Sequence, residues 1–301
     1  MFPDVRIILC GGTGFLGSAL ARSLREDGHD VIILTRRPRR AGELAWNPGD
    51  PAGEWAGVID GSDAVVNLAG EPIEAGRWTQ ARKAAIFDSR VRATEAVVTA
   101  ITKAARPPSA LLNGSAIGIY GAHRDDILTE TSRPADDFLA RVCIAWERAA
   151  AAAPTTTRVV CLRTGLVLDR DNGALPRLAL PFHLFAGGPV GSGRQWWSWI
   201  HIADWVAMVR WAMDTAAVSG AVNLTAPAPV TNREFAKTLG RVLQRPSILP
   251  APALALRLAL GEMADALILT GQRVMPARAM DAGFTFRYNS LDLALRAIYA
   301  R

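Results

Sequence analysis

A glycine-rich turn between a strand-like and a helix-like segment constrains the fold of this chain most. Residues 10–20 read CGGTGFLGSAL, with glycine at every third position: Gly11, Gly14 and Gly17. The segment VRIIL before the turn is apolar and β-branched, and SALARSLREDG after it has the pattern of a helix. Glycines in such a turn permit unusual backbone angles, close approach of a ligand and tight packing of helix on strand. We therefore predict that the helix N-terminus binds the pyrophosphate of a dinucleotide.

The rest of the first half alternates between strand and helix patterns. Predicted strands are VRIILC, DVIILT, DAVVNLAG, ALLNGSAIG and RVVCLRTGLVL, and predicted helices include residues 79–105 and ADDFLARVCIAWERAAAAA. This alternation predicts an α/β fold, a Rossmann doubly wound parallel sheet with helices on both faces. We expect a Rossmann domain over 1–225, with substrate-lobe insertions after about residue 166. A smaller C-terminal helical lobe over 226–301 would lie at the carboxyl edge of the sheet.

Composition and charge argue against several classes of protein. The chain has 301 residues, half of them hydrophobic, and a net charge of +6. Its arginines are scattered except for RRPRR at 36–40, and it has no zinc-finger spacing, so we expect no nucleic-acid partner. The most apolar stretch is interrupted by prolines and charges, and the N-terminus does not resemble a signal peptide, so we expect no membrane partner.

The cysteines and histidines predict neither a disulfide nor a metal site. The cysteines are Cys10, Cys143 and Cys161, an odd number without a CxxC pair. Buried free thiols in a reducing, cytoplasmic setting are the simplest interpretation. The histidines do not have the spacing of metal ligands.

The end of the second predicted strand indicates which dinucleotide binds. This strand ends ILTRRPRR, with Thr35 and Arg36 at its tip and no Asp or Glu there. A carboxylate at this tip binds the ribose hydroxyl of NAD, whereas an arginine accommodates the 2′-phosphate of NADP. The sequence therefore predicts NADP(H), with Arg36 bound to the phosphate and the Thr35 hydroxyl as a second contact.

Motifs along nearly the whole chain resemble one family. In order they read GGTGFLG, VVNLAGEPI, SRVRAT, SAIGIYG, DFLARVCIAWE, LRTGLVL, GGPVGSGRQWWSWIHIADW and GQRVMPARAMDAGFTF. They resemble the NAD(P)-dependent epimerase/dehydratase-like branch of the extended short-chain dehydrogenase/reductases, which carries a C-terminal domain of unknown function. The resemblance implies an NADP-type cofactor and an oxidoreductase or epimerase acting on a small carbonyl or sugar-like substrate in a cleft. The alternative is a non-catalytic protein that senses NADP(H) or binds a partner.

The resemblance also implies a set of cofactor-binding residues. Residues of the turn would line the pyrophosphate, the strand tip would hold the 2′-phosphate, the next strand would pass beneath the ribose, and two further residues would complete the site. These residues are Gly11, Gly12, Thr13, Gly14, Phe15, Leu16 and Gly17 at the turn; Thr35 and Arg36 at the tip; Leu68, Ala69, Gly70 and Glu71 after the next strand; Arg90 facing the phosphates; and Val167 at the nicotinamide.

The catalytic residues of the wider superfamily are missing. The resemblance implies a Tyr-x-x-x-Lys pair, supported by a Ser or Thr, that exchanges a proton with the substrate. Here the tyrosine position holds Leu139, the lysine position holds Cys143, and the Ser/Thr position holds Ala116. Any catalysis would need a non-standard acid–base group. We predict Tyr120 in this role, supported by Ser115, because Tyr120 is the only tyrosine near the predicted sheet edge.

Other candidate residues lie in the segment QWWSWIHIAD. His201 stands beside Asp204, where a structural hydrogen bond is expected more than a role as an acid. Trp196, Trp197 and Trp199 would form either lobe core or a flat wall for a substrate. The sequence does not determine the oligomeric state.

Overall fold

The computed structural model describes residues 5–50 and 53–300. The strands are β1 Arg6–Cys10, β2 Asp30–Thr35, β3 Glu43–Ala45, β4 Ala64–Asn67, β5 Ala110–Ala116, β6 Ile127–Leu128, β7 Arg158–Thr164, β8 Leu166–Leu168, β9 Trp196–Trp197, β10 Trp199–His201, β11 Gly220–Leu224, β12 Val230–Thr231 and β13 Arg273–Val274. The helices are α1 Phe15–Glu26, α2 Glu54–Gly57, α3 Gln80–Lys103, α4 Phe138–Ala151, α5 Leu175–His183, α6 Ile202–Asp214, α7 Asn232–Leu243, α8 Ala253–Leu260, α9 Glu262–Ala264, α10 Ala277–Asp281 and α11 Leu291–Tyr299. A 3₁₀ turn covers Ile117–Tyr120 and a π-helical turn covers Asp265–Leu269.

Seven parallel strands form the main sheet, in the order β11-β7-β5-β4-β1-β2-β3. This order confirms the predicted Rossmann fold. The chain runs outward from β1 to β3 and then returns to place β4 on the other side of β1, so the strand order reverses there. Cys10 at the end of β1 pairs with Leu34 on one side and Asn67 on the other. The glycine turn therefore begins where ligands bind in open α/β sheets.

Both faces of the sheet are buried under helices. Ile7 belongs to the apolar cluster that packs against α1 and α6, and its neighbour Ile8 belongs to the cluster that packs against α3. Successive residues of a strand point to opposite faces. This double burial explains why the strands read as continuous apolar runs instead of alternating ones.

The predicted strand RVVCLRTGLVL is divided in two at Gly165. A side chain at Gly165 would lie 2.6 Å from the Ser198 carbonyl oxygen, so the two backbones approach closely there. After this point β8 leaves the main sheet and pairs with β10. The division positions residues 166–201 over the carboxyl edge of the sheet.

The C-terminal residues contact the main sheet. Helices α5, α7 and α11 share one apolar cluster, and β13 pairs with β6. Asn223 in β11 donates from its side-chain amide to the Met275 carbonyl oxygen at 2.9 Å, and its backbone N–H donates to Glu130 at 3.0 Å. The domain boundary at residue 225 stays a prediction.

Cys10, Cys143 and Cys161 are all buried and free, as predicted. Across residues 5–50 and 53–300, no helix combines the length and the apolarity needed to cross a bilayer. The same residues contain no group of three or more His, Cys, Asp or Glu side chains that could hold a metal ion.

Candidate cofactor site and active site

The three glycines of the turn have three different structural roles. Gly11 has a φ of +78°, and a side chain there would lie 3.0 Å from the Ala69 backbone nitrogen. A side chain at Gly17 would overlap with the Gly11 backbone and lie 2.7 Å from the Gly12 Cα. Gly14 has a φ of −80°, and its nearest neighbour would be the Gly11 oxygen at an ordinary 3.4 Å. Gly11 thus forms the turn, Gly17 permits helix–strand packing, and Gly14 leaves its outer face open.

Helix α1 begins at this turn without a side-chain cap. Gly14 is its N-cap residue, and its first turn contains no acidic side chain. The first N–H groups of a helix have no intrahelical acceptor, and the helix dipole makes this end positive. Residues 15–17 therefore present donors that an anion can satisfy. An uncapped helix end beside an open Gly14 fits the pyrophosphate of a dinucleotide.

A cavity of about 1000 Å³ lies between α1 and the tip of β2. Six arginines and two glutamates line it, together with Gly12, Thr13 and Thr35. The arginines are Arg22, Arg25, Arg36, Arg37, Arg39 and Arg40, and the glutamates are Glu26 and Glu43. This excess of positive charge attracts anions, so the cavity fits a phosphate at the ribose end of the cofactor. The predicted tip residues Thr35 and Arg36 both line it.

Arg22 and Arg25 are lining residues that the sequence analysis missed. Both lie on α1, three positions apart, so they share the helix face toward the cavity. Arg25 donates to the Val31 carbonyl oxygen at 3.0 Å, which ties α1 to β2. Their three-residue spacing on the helix that follows the glycine turn could have identified both arginines from the sequence.

Glu71 links two arginines beside the cavity. Its carboxylate lies 3.3 Å from Nη1 of Arg36 and 3.2 Å from Nη1 of Arg82. The Arg36 side chain is 83% exposed and pairs with Glu71, so the guanidinium has room to turn toward a ligand. The backbone of Glu71 is fixed by the Ser89 hydroxyl, which accepts from its N–H at 3.0 Å.

Arg90 and Val167 occupy more buried positions than the other predicted residues. Nη1 of Arg90 donates to the carbonyl oxygens of Glu71 and Ile86, each at 3.0 Å, and the guanidinium lies over the Trp146 ring. Burial lowers the pKa of Arg90. Val167 lies in β8 and is buried in the main core. Their contacts with the cofactor stay predictions.

The two positions at which the sequence predicts the catalytic pair to be missing lie on α4, which packs against the end of β5. Leu139 approaches Gly118, where an added side chain would lie 3.4 Å from the Leu139 Cβ. Cys143 forms hydrogen bonds with the Ala116 backbone and the Ser115 side chain, and burial raises its pKa to about 11. Leu139 has no proton to exchange, and the Cys143 thiol stays protonated near neutral pH. Neither residue can replace the Tyr–Lys pair.

A buried polar network contains both residues predicted to be catalytic. The Ser115 hydroxyl donates to Glu147 at 2.6 Å, and Arg163 donates to both carboxylate oxygens of Glu147 at 2.8 and 2.9 Å. Arg163 also donates to the Tyr120 hydroxyl at 2.9 Å, which in turn donates to the Asn223 side-chain oxygen at 2.7 Å. The network joins β5, α4, β7 and β11.

Tyr120 and Ser115, which the sequence predicts to be catalytic, are both buried. Tyr120 is fully buried, and its hydroxyl has one donor and one acceptor partner within the protein. A general acid has to come within hydrogen-bond reach of the substrate, directly or through one water. Both hydroxyls are bonded within the network, and their catalytic role stays a prediction. Arg163 was the missed signal, because an arginine inside the apolar strand RVVCLRT indicates a buried ion pair.

His201 has a structural role, as expected. Its Nδ1 accepts a hydrogen bond from the Ala203 N–H at 3.0 Å and caps α6, and its ring lies 3.9 Å from the Tyr288 ring. Burial lowers the pKa of His201 to about 4, so the imidazole is neutral at pH 7. Trp197 and Trp199 are buried in the cluster with α5 and α7, which favours the core interpretation for these two.

The glycine turn lies where the strand order reverses, and the arginine-lined cavity lies beside it. Together they define a dinucleotide-binding protein of the Rossmann class. The model of the NAD dependent epimerase/dehydratase family matches residues 7–224, and a model of a domain of unknown function, DUF1731, matches residues 251–298. The chain therefore belongs to the NAD dependent epimerase/dehydratase family, which confirms the predicted resemblance.

Relatives of similar length bear family names and not specific activities. The Arabidopsis thaliana "Epimerase family protein SDR39U1 homolog, chloroplastic" is 42% identical over 98% of this chain and 87% of the relative. "Epimerase family protein YfhF" of Bacillus subtilis is 41% identical over 98% of each chain. The crystal structure of human SDR39U1 (isoform 2) with NADPH aligns with a TM-score of 0.92 at 35% identity, covering 98% of this chain and 99% of that one. The predicted NADP(H) cofactor is confirmed at the level of this family.

Proposed function

We propose that this chain binds NADP(H) and is an oxidoreductase whose hydride transfer proceeds without a protein acid–base pair. The observation that carries this proposal is that Leu139 and Cys143 occupy the two positions of the pair beside a well-formed cofactor site. When bound, NADPH supplies a hydride to an acceptor. Binding of NADPH is supported by the open Gly14, the uncapped α1 and the arginine-lined cavity. The human relative solved with NADPH supports it too.

The cofactor would be held by the residues that the sequence predicts. We assign the pyrophosphate to the turn, the 2′-phosphate to the arginine-lined cavity, and the ribose to the residues after β4. The residues are Gly11, Gly12, Thr13, Gly14, Phe15, Leu16 and Gly17; Thr35 and Arg36; and Leu68, Ala69, Gly70 and Glu71, with Arg90 and Val167 completing the site.

An oxidoreductase is favoured over an epimerase because the side chains suited to proton transfer are engaged elsewhere. Epimerisation through transient oxidation of an alcohol needs a base that takes up the hydroxyl proton and later returns it. Tyr120 and Ser115 are held in the buried network, and Glu71 is paired with two arginines. General acid–base help is worth roughly 10²–10⁴ in rate. We therefore expect poor turnover of alcohols, sugars and simple ketones.

Single-turnover oxidation of NADPH over a panel of carbonyl acceptors tests this proposal, with NADPH affinity measured separately. Turnover of at least one acceptor above the protein-free rate supports it. Tight NADPH binding without turnover of any acceptor would overturn it in favour of the NADP(H)-sensing alternative. Cytoplasmic location stays part of the proposal.

We expect Arg36→Asp to narrow or reverse the preference for NADPH over NADH. The substitution removes a donor that lines the arginine-lined cavity and places a carboxylate where a 2′-phosphate would lie. A charge-assisted hydrogen bond contributes about 1.5–3 kcal/mol, so NADPH affinity should fall roughly tenfold or more. Fluorescence titration with both cofactors measures the ratio. Arg92→Asp, on an exposed face of α3, is the matched control, and an equal loss in both variants would refute the assignment.

The rate of hydride transfer should not vary with pH between about 5.5 and 9, because no nominated proton donor changes charge in that range. The neutral form of His201 persists above its lowered pKa of about 4, with Asp169 and Arg287 as the charges that act on it. The thiol form of Cys143 persists below its raised pKa of about 11, with Glu147 and Arg90 nearby. Stopped-flow measurements at constant ionic strength test this, and a limb with a midpoint near neutrality would contradict it.

Tyr120→Phe should leave turnover unchanged and lower stability. The substitution deprives Arg163 of an acceptor and Asn223 of a donor inside the protein. Leaving buried polar groups unsatisfied costs about 1–3 kcal/mol in the free energy of unfolding. Urea denaturation and single-turnover kinetics on the same variant separate the two roles. A loss of rate without a loss of stability would restore Tyr120 to the mechanism.

A further inference from the structure

Two aromatic rings meet at the N-terminus of α4, where Leu139 is the second residue of the helix. Phe138 is the first residue of α4, and its ring centroid lies 5.2 Å from that of Trp78 in an edge-to-face arrangement. Trp78 belongs to the segment after β4, and its indole N–H donates to the Ile73 carbonyl oxygen at 2.8 Å. Both aromatic side chains and Leu139 are partly exposed. The position where a catalytic tyrosine is missing is therefore bordered by an apolar aromatic surface.

The ammonium group of Lys83 lies at the same surface. Nζ of Lys83 lies 5.1 Å from the centroid of the Phe138 ring and forms an ion pair with Glu262 at 2.5 Å. Lys83 lies in the first turn of α3, and Trp78 lies just before that helix. A planar molecule stacked on Trp78 would therefore lie near the Lys83–Glu262 ion pair.

The absence of a general acid restricts which acceptors can be reduced here. Hydride addition to a simple ketone produces an alkoxide, which is strongly basic, so the step requires a proton donor in place. Reduction of a quinone produces a phenolate that is delocalised over a ring, and phenols ionise with a pKa of about 10. This phenolate is stable until water protonates it. Reduction of a quinone therefore does not require a tyrosine at the position of Leu139.

We propose that the substrate is a quinone that stacks on the Trp78 ring, beside the edge-to-face ring of Phe138 and close to Leu139. This inference rests on the proposed function, because NADPH is the hydride donor. The quinone takes up the hydride as the C4–H bond of the cofactor breaks and an O–H bond forms. One proton from water then completes the hydroquinone, and the cofactor leaves as NADP⁺. The protein binds and orients the ring, forms no covalent bond with it and donates no proton.

Calorimetric titration of menadione into the full chain saturated with NADP⁺ tests the stacking site without turnover. We expect menadione to bind, and Trp78→Leu to weaken that binding by about tenfold, the size of effect that loss of an aromatic stacking partner produces. Phe185→Leu is the matched control, because Phe185 is an exposed aromatic residue stacked with Arg245 elsewhere on the surface. NADP⁺ affinity should be unchanged in both variants. Equal menadione affinity in the wild-type chain and Trp78→Leu would overturn the site.

Single-turnover kinetics then separate this inference from the proposed function. The rate enhancement over the protein-free reaction is compared for menadione and for 2-acetonaphthone, a simple ketone of similar size. We expect acceleration of menadione alone, reduced in Trp78→Leu. Acceleration of the ketone without that of menadione would overturn the quinone inference and retain the oxidoreductase. Failure of both acceptors in a chain that binds NADPH would overturn the inference, and failure across the whole carbonyl panel would overturn the proposed function as well.

Discussion

Gly14→Val should abolish measurable NADPH binding while the chain stays folded. The backbone angles of Gly14 suit any residue, and a Cβ there would meet only the Gly11 oxygen at 3.4 Å. A valine side chain would instead fill the space in front of the α1 N-terminus, where the pyrophosphate is proposed to bind. We expect a loss of at least about 100-fold in affinity, or about 2.7 kcal/mol. Fluorescence titration measures the affinity, and thermal unfolding reports on the fold.

Two other glycines provide controls for this prediction. Gly57→Val makes the same change at a position with open space around it, and it should leave NADPH affinity unchanged. Gly17→Ala should destabilise the chain, because the added carbon would overlap with the Gly11 backbone. If Gly14→Val binds NADPH like the wild-type chain, the turn is not the pyrophosphate site.

Arg163→Met should lower the free energy of unfolding by about 3–5 kcal/mol, because it leaves a buried carboxylate without its counter-charge. The side chains of Arg163 and Glu147 are only 8% and 16% exposed, and two hydrogen bonds join them. Urea denaturation measures the loss. Arg241→Met breaks an exposed pair with Asp292 and should cost about 0–1 kcal/mol. Similar losses in the two variants would show that the buried ion pair contributes no more to the free energy of unfolding than the exposed one.

The local parts of the site could be predicted from the sequence. The glycine spacing, the apolar strand before it and the arginine at the tip of β2 are features of short segments, and their geometry follows from backbone sterics and parallel pairing. These features account for the confirmed fold and family. The absence of the catalytic pair, inferred from Leu139 and Cys143 on one helix, stays a prediction.

The burial of Tyr120 could not be predicted, because it depends on residues far away in the chain. The sequence places Tyr120 near the sheet edge, and the structure agrees. Its burial, however, is produced by Asn223 in β11, by Arg163 in β7 and by the C-terminal segment that Asn223 holds through Met275. No local pattern reveals that a distant segment covers a side chain.

The hydrogen bonds that join Glu130 to residues much later in the chain have a consequence for biosynthesis. Glu130 accepts hydrogen bonds from Asn223 and from the Arg278 N–H, 148 residues after Glu130. At the usual speed of translation, roughly 5–20 residues per second, Arg278 is made about 7–30 s after Glu130. Until β11 is made, the nascent sheet lacks its edge strand, and until Arg278 is made, one oxygen of Glu130 lacks the Arg278 N–H donor. These contacts of Glu130 therefore form late in synthesis, and products that terminate before residue 278 should be substrates for chaperones and proteases.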